Sequence, residues 1–585
     1  MQQKIKELIT ASIMQLQNNG KIANLPIVVD VEPTKNSTYG DFSSNIAMVL
    51  GKKLNLNPLD LATTIVATIP PNKTIKNIVI AKPGFINFHL ATSAYHETIT
   101  DITNLKEKFA HCDLGKDKTV IVEFVSTNPT GPLHVGHGRG AAYGATVANL
   151  LETMGYKVHR EYYVNDAGRQ MHILTLSIWL RYLEIDRQLS HFPENGYRGD
   201  YVTTIAHKLK KEYQEALHRP LDFLYQELPA DANDGGDKDF YIDTMIQRAQ
   251  TLLGAKDYQL IMQTGISEIL ADIKNDLEEF GVIFDEWFRE NHLIKNGTVQ
   301  KGINQLSDRG YVYTKDDALW FRATSFGDEK DRVLIRANGQ TTYFASDVAY
   351  HLNKYERGFD KIIDIFGADH HGYAPRINAF LQAMQLDPNK LQILLVQFAI
   401  LYRGKQKVQM STRRGEFITL RQLREEVGND ATRFFYIMRK NDQHLDFDLN
   451  LAKSQSVANP VYYIQYAHAR ICSVMRQLEE KQLTYDHKCG IAMLNKLHTV
   501  QEKNLLRRLT RYTITLQNAA LNYEPHLLAH YLKDLANDFH TYYNAQQFLV
   551  ENTDLRNARL CLIIAIKQIL TNGLTLLGVT TPETM

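Results

Sequence analysis

Cysteines, long apolar runs and net charge are all scarce in this sequence of 585 residues. Its four cysteines are Cys112, Cys472, Cys489 and Cys561. None has CxxC or other metal-ligand spacing, so the sequence predicts no disulfide framework and favours a reducing compartment, the cytoplasm. No run of about 20 apolar residues is present, so we expect no membrane span. A net charge of +1 excludes a uniformly basic protein that coats nucleic acid, and any such partner would need local basic patches.

The length predicts several domains, because one hydrophobic core seldom organises so many residues. Residues 1–110 mix helix and strand signals and are predicted to form an N-terminal α+β domain. Residues 111–454 indicate a Rossmann-like domain with a parallel sheet, interrupted by a helical insertion at about 175–275. Residues 455–585 show no strand signal and indicate an α-helical bundle. The predicted fold class is therefore multidomain α/β plus α.

A strand-helix-strand pattern opens the middle domain. The run 119–125 is short, apolar and rich in β-branched residues, which suits a buried parallel strand. A helix is predicted at 139–154, before Gly155, and a second strand at 158–164. Further strands are predicted at 311–313, 318–321, 333–335, 361–366 and 391–401. Such a βαβ unit builds a parallel sheet with helices on both faces.

Two histidines lie between that first strand and helix, in the segment His134-Val135-Gly136-His137, called the HVGH segment below. Ligands of such sheets bind at the carboxyl ends of strands, and a helix N-terminus attracts anions. Gly136 permits close approach of a nucleotide, and the two imidazoles can face one crevice and stabilise charge on a phosphate. The alternatives are a polar glycine-rich turn or a metal pair. The strand-loop-helix context favours phosphate chemistry.

Two further segments carry chemistry-bearing side chains. Residues 366–372 (sequence FGADHHG) follow an apolar strand, which again places polar groups at a strand's carboxyl end; a metal site is the rival interpretation. Residues 408–415 (VQMSTRRG) resemble, on their own, a solvated basic loop. Together with the HVGH segment, this loop is expected to close over nucleotide phosphates and to contribute Arg413 to a departing pyrophosphate.

These three segments together resemble class I aminoacyl-tRNA synthetases. The HVGH segment matches their HIGH signature, and residues 409–413 are similar to a degenerate KMSKS loop. More specific similarity, to bacterial arginyl-tRNA synthetases, lies in residues 39–45, 83–87, 123–132, 162–170, 197–201, 343–347, 367–372 and 430–433. The resemblance extends from about residue 39 to the tail at 576–579.

The resemblance implies an arginine–tRNA ligase. Such an enzyme forms arginyl-adenylate and pyrophosphate from L-arginine and ATP, then transfers arginine to the 3′ end of tRNA(Arg). It implies Mg²⁺ as Mg-ATP with no dedicated protein metal site, and tRNA(Arg), L-arginine and ATP as partners. We expect no DNA or membrane partner. We expect the protein to be a cytoplasmic monomer. It also implies that bound tRNA is required before arginine is activated.

The resemblance further implies roles for individual residues. The catalytic residues would be His134, His137 and Arg413. The ATP-binding residues would be His134, Gly136, His137, Gly367, Asp369, His371, Val408, Met410 and Ser411. The arginine-binding residues would be Glu123, Asn128, Tyr343, Asp347 and His370. The tRNA-binding residues would be Tyr39, Asn45, Phe85, Asn87, Tyr197, Tyr201, Tyr466 and Arg470. A carboxylate such as Asp347 suits a guanidinium, which carries five donors and a permanent charge.

Both lysines of the KMSKS pattern are replaced, by Gln409 and Thr412. Arg413, Lys405 or Lys407 would have to supply the missing phosphate-binding charge. Three other hypotheses stay open at this point. They are a class I synthetase of another amino-acid specificity, a nucleotidylyltransferase with an HxGH turn, and a non-catalytic tRNA-binding paralogue.

Overall fold

The computed structural model describes residues 1–34, 36–189, 191–408 and 418–585. They form two compact units. One unit combines Met1–His111 with Gln455–Met585, and the other is Cys112–Ser454. The first and last segments of the chain, which the sequence suggests as separate domains, therefore pack together. The three-domain division stays a prediction.

The N-terminal segment is a four-stranded antiparallel sheet with helices, as the α+β pattern predicts. Its elements are α1 (Gln2–Asn18), β1 (Glu32–Pro33), β2 (Phe42–Ser44), α2 (Ile46–Leu54), α3 (Pro58–Thr68), β3 (Ile75–Ala81), β4 (Phe85–Leu90) and α4 (Thr92–Leu105). The strand order is β1-β2-β4-β3. Helix α1 buries Ile5, Ile9, Ile13 and Leu16, whose spacing of three to four residues places them on one helix face.

The second unit is built on a five-stranded parallel sheet. Its elements are β5 (Thr119–Glu123), α5 (Val135–Thr153), β6 (Lys157–Val164), α6 (Arg169–Glu184), α7 (Asp200–Tyr213), α8 (Leu221–Tyr225), α9 (Lys238–Glu279), β7 (Glu286–Arg289), α10 (Glu290–Lys295), α11 (Thr298–Asp308), β8 (Val312–Lys315), β9 (Ala318–Phe321), β10 (Arg332–Ile335), α12 (Tyr343–Glu356), β11 (Lys361–Gly367), α13 (Tyr373–Ala383), β12 (Leu391–Val396), β13 (Ala399–Arg403), β14 (Gln406–Lys407), α14 (Leu420–Val427), α15 (Asn429–Ile437), β15 (Leu445–Asp448) and α16 (Leu449–Lys453). The parallel order is β12-β11-β5-β6-β7. Helices α6 to α9 form the predicted helical insertion, and the central strand β5 is buried, as a parallel strand should be.

Two strand predictions need correction. The strands β8, β9 and β10 lie outside the parallel sheet and form an antiparallel sheet of their own. Asp316 and Asp317 both have positive φ angles (51° and 55°), which close a tight β8–β9 hairpin. The single strand predicted at 391–401 is two strands, and β13 joins a third sheet between β14 and β15. Short apolar runs indicate strands but not the sheet that each joins.

The C-terminal segment contains only helices in the structure, as predicted. They are α17 (Pro460–Glu480), α18 (His487–Ala492), α19 (Val500–Thr510), α20 (Tyr512–Leu521), α21 (His526–Ala545) and α22 (Thr553–Leu577). Among the described residues, α22 is the one helix long and apolar enough to cross a membrane, but 67% of its most apolar window is buried inside the protein. Its Arg559 pairs with the buried Glu502 of α19 at 3.0 Å. We therefore describe α22 as the core helix of the bundle.

The two ends of the chain meet through Asp41, which belongs to one of the family-like N-terminal motifs. Its carboxylate accepts from the Tyr95 hydroxyl at 2.7 Å and lies 3.4 Å from Nε of Arg507 in α19. The guanidinium of Arg511 donates to the Thr34 carbonyl at 3.0 Å. Polar contacts from the bundle thus hold the motif-bearing loop of the N-terminal segment in place.

Adding one methyl group to each of two glycines of α5 should have opposite effects. A Cβ at Gly144 would lie 2.3 Å from Phe124 Cγ, whereas nothing lies within 4 Å of a Cβ at Gly140. Gly144→Ala should destabilise the unit by about 1–3 kcal/mol, because α5 would have to move away from the end of β5. Gly140→Ala should stabilise it by about 1 kcal/mol through helix propensity. Denaturant unfolding of both variants tests this, and equal shifts would contradict the packing.

Candidate active site

The HVGH segment begins helix α5. His134 is the N-cap residue, and its Nδ1 accepts a hydrogen bond from the Gly136 N–H at 3.1 Å. Nδ1 of His137 accepts from the His134 N–H at 3.3 Å, which completes a capping box. The two rings stack with their centroids 3.5 Å apart. Both histidines thus satisfy backbone donors that a helix N-terminus leaves without intrahelical partners.

The protonation of the two rings follows from the same bonds. Burial lowers the pKa of His134, and burial together with the adjacent His134 lowers the pKa of His137 well below its ordinary value. Both rings are therefore neutral near pH 7. Because Nδ1 of each ring accepts a backbone hydrogen bond, the ring hydrogen lies on Nε2. The segment offers N–H donors rather than fixed positive charges, and such donors suit an oxyanion that gains charge during a reaction.

Two predicted ATP-binding glycines lie around one aromatic side chain, Phe398, which sequence reasoning missed. A Cβ at Gly136 would lie 3.7 Å from the Phe398 ring, and a Cβ at Gly367 would lie 3.8 Å from it. Phe398 follows β12 and is 44% exposed. The Gly136 position would also place a Cβ 2.9 Å from Cε1 of His134, so the capping ring itself requires glycine there. The structure therefore brings the HVGH segment and the segment after β11 together.

The basic loop after β14 ends next to the HVGH segment. Residues 409–417 lie outside the described residues, and with them the predicted site residues Met410, Ser411 and Arg413. Before the loop, the Val408 N–H donates to the Leu401 carbonyl at 2.9 Å. After it, the Ile418 carbonyl accepts from the Val135 N–H at 3.2 Å. The chain thus returns from the loop directly to the start of α5.

The polar side chains after β11 are exposed. Nε2 of His370 lies 3.7 Å from a carboxylate oxygen of Asp369, and His371 is exposed as well. The His370 ring lies near Phe366 and Tyr373, with centroid distances of 5.8 and 6.4 Å. No enclosed cluster of metal-ligand type forms from these three described residues. Their contacts with ATP and arginine stay predictions.

One face of helix α12 carries two residues of the predicted arginine pocket, Tyr343 and Asp347. Tyr343, Asp347, His351 and Lys354 are spaced at intervals that place them on this face. Burial raises the pKa of Asp347 to about 7, against the lowering effects of His351 and a hydrogen bond from Tyr373. Tyr343 is 50% exposed at the first residue of the helix. Asp347 is therefore about half protonated at neutral pH and would ionise fully beside a bound cation.

A buried ion network lies further along the same face. Nζ of Lys354 is 2.5 Å from Oε2 of Glu123 and 2.6 Å from Oδ1 of Asp364. Nε2 of His351 is 2.9 Å from Oδ2 of Asp364. Burial opposes ionisation of Asp364, but Lys354 and His351 lower its pKa to about 2. Glu123, predicted to bind arginine, thus already has an internal cation as its partner.

Sequence reasoning missed a further carboxylate, that of Glu290. It follows β7 immediately, is only 3% exposed, and its Oε2 is buried without a hydrogen-bond partner among the described residues. Burial raises its pKa, and Glu290 in turn raises the pKa of Asp347. An acidic residue directly after a strand would have been the signal. The strand has only four residues, and the sequence pattern predicts none there.

The loop after β5 is strained and is held by the neighbouring strand. Val125 and Ser126 have φ angles of 69° and 43°, which residues other than glycine rarely adopt. The Tyr163 N–H donates to Oγ of Ser126 at 3.1 Å. Nδ2 of Asn128 donates to Oε1 of Gln170 at 2.6 Å. Such strain at a strand end is typical of functional sites, and here it places Asn128 beside the loop after β6.

Three tyrosines lie along this loop and its neighbour. The Tyr201 hydroxyl donates to the Thr130 carbonyl at 2.6 Å. Burial raises the pKa of Tyr197, whose hydroxyl also bonds to Thr130. The Tyr343 hydroxyl would lie 3.3 Å from a Cβ at Gly168. The predicted tRNA contacts Tyr197 and Tyr201 are therefore anchored to the strand-end loops of the sheet.

The remaining predicted tRNA contacts lie in the unit that combines Met1–His111 with Gln455–Met585. Tyr39 and Phe85 are exposed aromatic side chains, and Asn45 is exposed at the N-cap position of α2. Asn87 is only 4% exposed, and its Oδ1 accepts from the Ser43 hydroxyl at 2.6 Å. The side chain of Asn87 thus links β2 to β4, and its tRNA contact stays a prediction.

On α17, Arg470 lies between two aromatic rings. Its guanidinium carbon is 4.3 Å from the ring centroid of Tyr466 and 4.6 Å from that of Tyr543. Tyr462 stacks on Tyr466 at 6.1 Å. This half-buried arrangement presents a cation and several flat rings together, which is a combination that suits unpaired bases.

Two clusters of described residues have metal-ligand geometry. They are His159, Glu161 and Glu286, and Asp186, Glu215 and His218. Arg357 lies 2.6 Å from Glu161 and 2.9 Å from Glu286 in the first cluster. Lys210 lies 2.6 Å from Glu215 in the second. Each cluster thus already contains a side-chain cation as an ion-pair partner.

Three protein families match consecutive parts of the chain. The family described as Arginyl tRNA synthetase N terminal domain matches residues 3–90. The family described as tRNA synthetases class I (R), catalytic domain, matches residues 98–473. The DALR anticodon binding domain matches residues 464–585.

Individual relatives match the chain over almost its whole length. An arginine–tRNA ligase of Coxiella burnetii (strain RSA 331 / Henzerling II) is 54% identical over 586 residues, with 100% of both chains covered. One of Legionella pneumophila (strain Paris) is 53% identical over 582 residues, with 99% of each covered. The solved structure of Thermus thermophilus arginyl-tRNA synthetase is 20% identical, has a TM-score of 0.76 with 100% of both chains covered, and shows the same fold.

Because the matched catalytic family spans the whole parallel-sheet unit, including the HVGH segment, the chain is a class I aminoacyl-tRNA synthetase. The full-length relatives then decide among the members of that class. The chain belongs to the arginyl-tRNA synthetases, the arginine–tRNA ligases. These matches favour arginine specificity over the three other hypotheses that the sequence left open.

Proposed function

We propose that both steps of the arginine–tRNA ligase reaction take place at the carboxyl edge of the parallel sheet. The arginine carboxylate attacks the α-phosphorus of ATP and pyrophosphate leaves. The terminal ribose hydroxyl of tRNA(Arg) then attacks the carbonyl carbon of the adenylate and AMP leaves. The observation that carries this assignment is the acidic pocket of Asp347 and Glu290, in which no described residue forms an ion pair with either carboxylate. ATP-dependent charging of tRNA(Arg) with arginine, scored against other amino acids, tests it.

In the first step, His134 and His137 stabilise the phosphates through their Nε2–H groups. Their Nδ1 atoms are already used within the capping box, so the opposite nitrogens are the ones oriented by the helix start. The N-terminal dipole of α5 adds attraction for the anionic phosphates. Gly136 and Gly367 would let the nucleotide approach the backbone, with Phe398 beside it. Arg413, Lys405 or Lys407 would supply the charge of the missing signature lysines.

We expect His137→Ala to lower the adenylation rate by ~10²-fold or more, because one donor to the developing charge is lost. His137→Asn is the matched variant, since its side-chain oxygen can still accept the capping bond while Nε2 is absent. Arginine-dependent pyrophosphate exchange with tRNA present measures the rate, and thermal unfolding checks the fold. If both variants retained the wild-type rate, His137 would have no catalytic role.

The arginine side chain would enter the pocket lined by Asp347 and Glu290, with Tyr343 at its exposed end. A planar guanidinium has five donors, and these carboxylates supply acceptors that no described side-chain cation satisfies. Asn128, and Glu123 with its partner Lys354, would hold the polar groups of the substrate. His370 would stand at the outer side of the pocket. A neutral amino-acid side chain would gain no ion pair with these carboxylates.

Arginine binding should release a proton, because a bound guanidinium ionises Asp347. With a free pKa of about 7, roughly half a proton is released at pH 7 and almost none at pH 9. Arginine affinity should therefore fall as the pH drops below 7, since protons compete for the carboxylate. Titration calorimetry in buffers of different ionisation enthalpy measures the release, with Asp347→Asn as the control. Binding enthalpies independent of the buffer at pH 7 would rule out this role.

The unit formed by Met1–His111 and Gln455–Met585 would supply surfaces for tRNA(Arg). Arg470 and Tyr466 would bind the anticodon loop, where unpaired bases stack on aromatic rings. Tyr39, Asn45, Phe85 and Asn87 would contact another part of the tRNA. In the catalytic unit, Tyr197 and Tyr201 would meet the 3′ end, since both are bound to a strand-end loop.

Arg470→Ala should weaken tRNA(Arg) binding about tenfold and leave arginine binding unchanged, because it removes the cation between two stacking rings. Arg476→Ala, on the same helix, is the control. Filter binding of tRNA(Arg) and arginine calorimetry give the two readouts. Substitution is preferable to deletion of 455–585, because that segment packs against residues 1–111. Equal tRNA affinity of Arg470→Ala and wild type would exclude this contact.

Mg²⁺ would enter the site with ATP, without protein ligands of its own. Both described carboxylate–histidine clusters already hold Arg357 or Lys210, which supports this view. A tight Mn²⁺ site in equilibrium dialysis without ATP would contradict it.

We also infer a cytoplasmic monomer, which sedimentation and fractionation test. Activation would depend on bound tRNA, and equal pyrophosphate exchange with and without tRNA would refute this.

A further inference from the structure

Tyr163 is the seventh residue of β6, and the family resemblance assigns no role to it. Its backbone N–H is bonded to Oγ of Ser126 at 3.1 Å. Its ring packs on Tyr350 at 4.3 Å and lies 6.2 Å from the ring of Phe288. Strand, loop and two aromatic neighbours thus fix the ring, so the direction of the hydroxyl group is fixed with it.

The Tyr163 hydroxyl is buried and has no hydrogen-bond partner among the described residues. Folded proteins pair nearly all buried polar groups, because an unpaired one loses its bonds to water without compensation. Two other side-chain oxygens at the ends of neighbouring strands are also buried without a hydrogen-bond partner among the described residues. They are Oε2 of Glu290, directly after β7, and Oδ1 of Asn165, directly after β6. Three unpaired acceptors at the ends of adjacent strands indicate a ligand that carries several donors.

The carboxylates of Glu290 and Asp347 near this hydroxyl favour a cationic ligand. Burial raises the pKa of Tyr163, and the carboxylates of Glu290 and Asp347 raise it further. The phenol therefore stays neutral, and its oxygen can accept a hydrogen bond. A guanidinium supplies five donors in one plane, more than Asp347 and Glu290 need for a single contact each.

We propose that the Tyr163 hydroxyl accepts a hydrogen bond from the guanidinium of the substrate arginine and is a specificity-determining residue of the pocket. This role rests on the proposed arginine site. A third acceptor favours the planar guanidinium, which can reach acceptors on several sides, over an ammonium group that carries only three donors. Without this acceptor, the pocket would offer the guanidinium one hydrogen bond fewer.

Tyr163→Phe separates this role from a structural one. Removing a hydroxyl that has no hydrogen-bond partner among the described residues should leave the melting temperature unchanged or raise it. The same variant should raise the KM for arginine about tenfold, while the KM for ATP and kcat stay within about twofold. The dissociation constant of agmatine, which keeps the guanidinium but lacks the carboxylate, should rise by the same factor. Tyr313→Phe is the control, since its hydroxyl is bonded to Asp331 at 2.9 Å in another sheet; its arginine KM should not change.

If Tyr163→Phe left the arginine KM and the agmatine affinity unchanged, the proposal would be overturned. The hydroxyl would then form a hydrogen bond to a water molecule at most, and none to the substrate. A lower melting temperature would assign the hydroxyl to the fold and would overturn it as well. Absence of arginine-dependent exchange in the wild type would refute the proposed function instead. Agmatine binding, measured without catalysis, would still test Tyr163 in that case.

Discussion

The buried ammonium group of Lys354 is the constraint on which the catalytic unit depends. It bonds to Glu123 at the end of β5 and to Asp364 in the adjacent β11, and thereby fastens α12 to the middle of the sheet. Charges removed from water are tolerated only when each has an opposite partner and its remaining hydrogen bonds are made. His351 meets this requirement for Asp364. These bonds of Lys354 and His351 fix one face of α12. They also position Asp347, which lies one helical turn before His351 on the same face.

Paired and unpaired carboxylates differ along this face, and the difference separates scaffold from site. Asp364, with two partners, has a pKa near 2, whereas Asp347 has a pKa near 7. Glu290 has one buried carboxylate oxygen, Oε2, without a hydrogen-bond partner in the part of the chain that the structure describes. Among the described residues of this face, Glu123 and Asp364 pair with Lys354 and His351, whereas Asp347 and Glu290 form no ion pair and leave uncompensated negative charge at one place. The substrate guanidinium supplies the charge that the protein lacks there, so binding energy and specificity come from the same imbalance.

The sequence predicts the parallel sheet, the helical insertion and the bundle, because buried β-branched runs and helical periodicity report on local burial. It predicts Asp347 and the HVGH segment through motifs. It does not predict Glu290, Phe398 or Lys354, since each matters only through partners distant in the chain. Lys354, for example, looks like a surface residue until Glu123 and Asp364 are placed beside it. For the same reason the sequence predicts strands near β8, β9 and β10 but not that they pair with one another in a separate antiparallel sheet, because strand patterns do not specify pairing partners.

The HVGH segment shows why structural and chemical roles need not compete for one residue. The Nδ1 atoms of His134 and His137 cap the helix, and this use determines that the hydrogens lie on Nε2. Burial keeps both rings neutral, so the caps persist at physiological pH and the donors persist with them. Gly136 is required first by the His134 ring, and only then is it available to a nucleotide. The helix start therefore orients its donors before any substrate binds, which is the condition under which electrostatic stabilisation needs no reorganisation during the reaction.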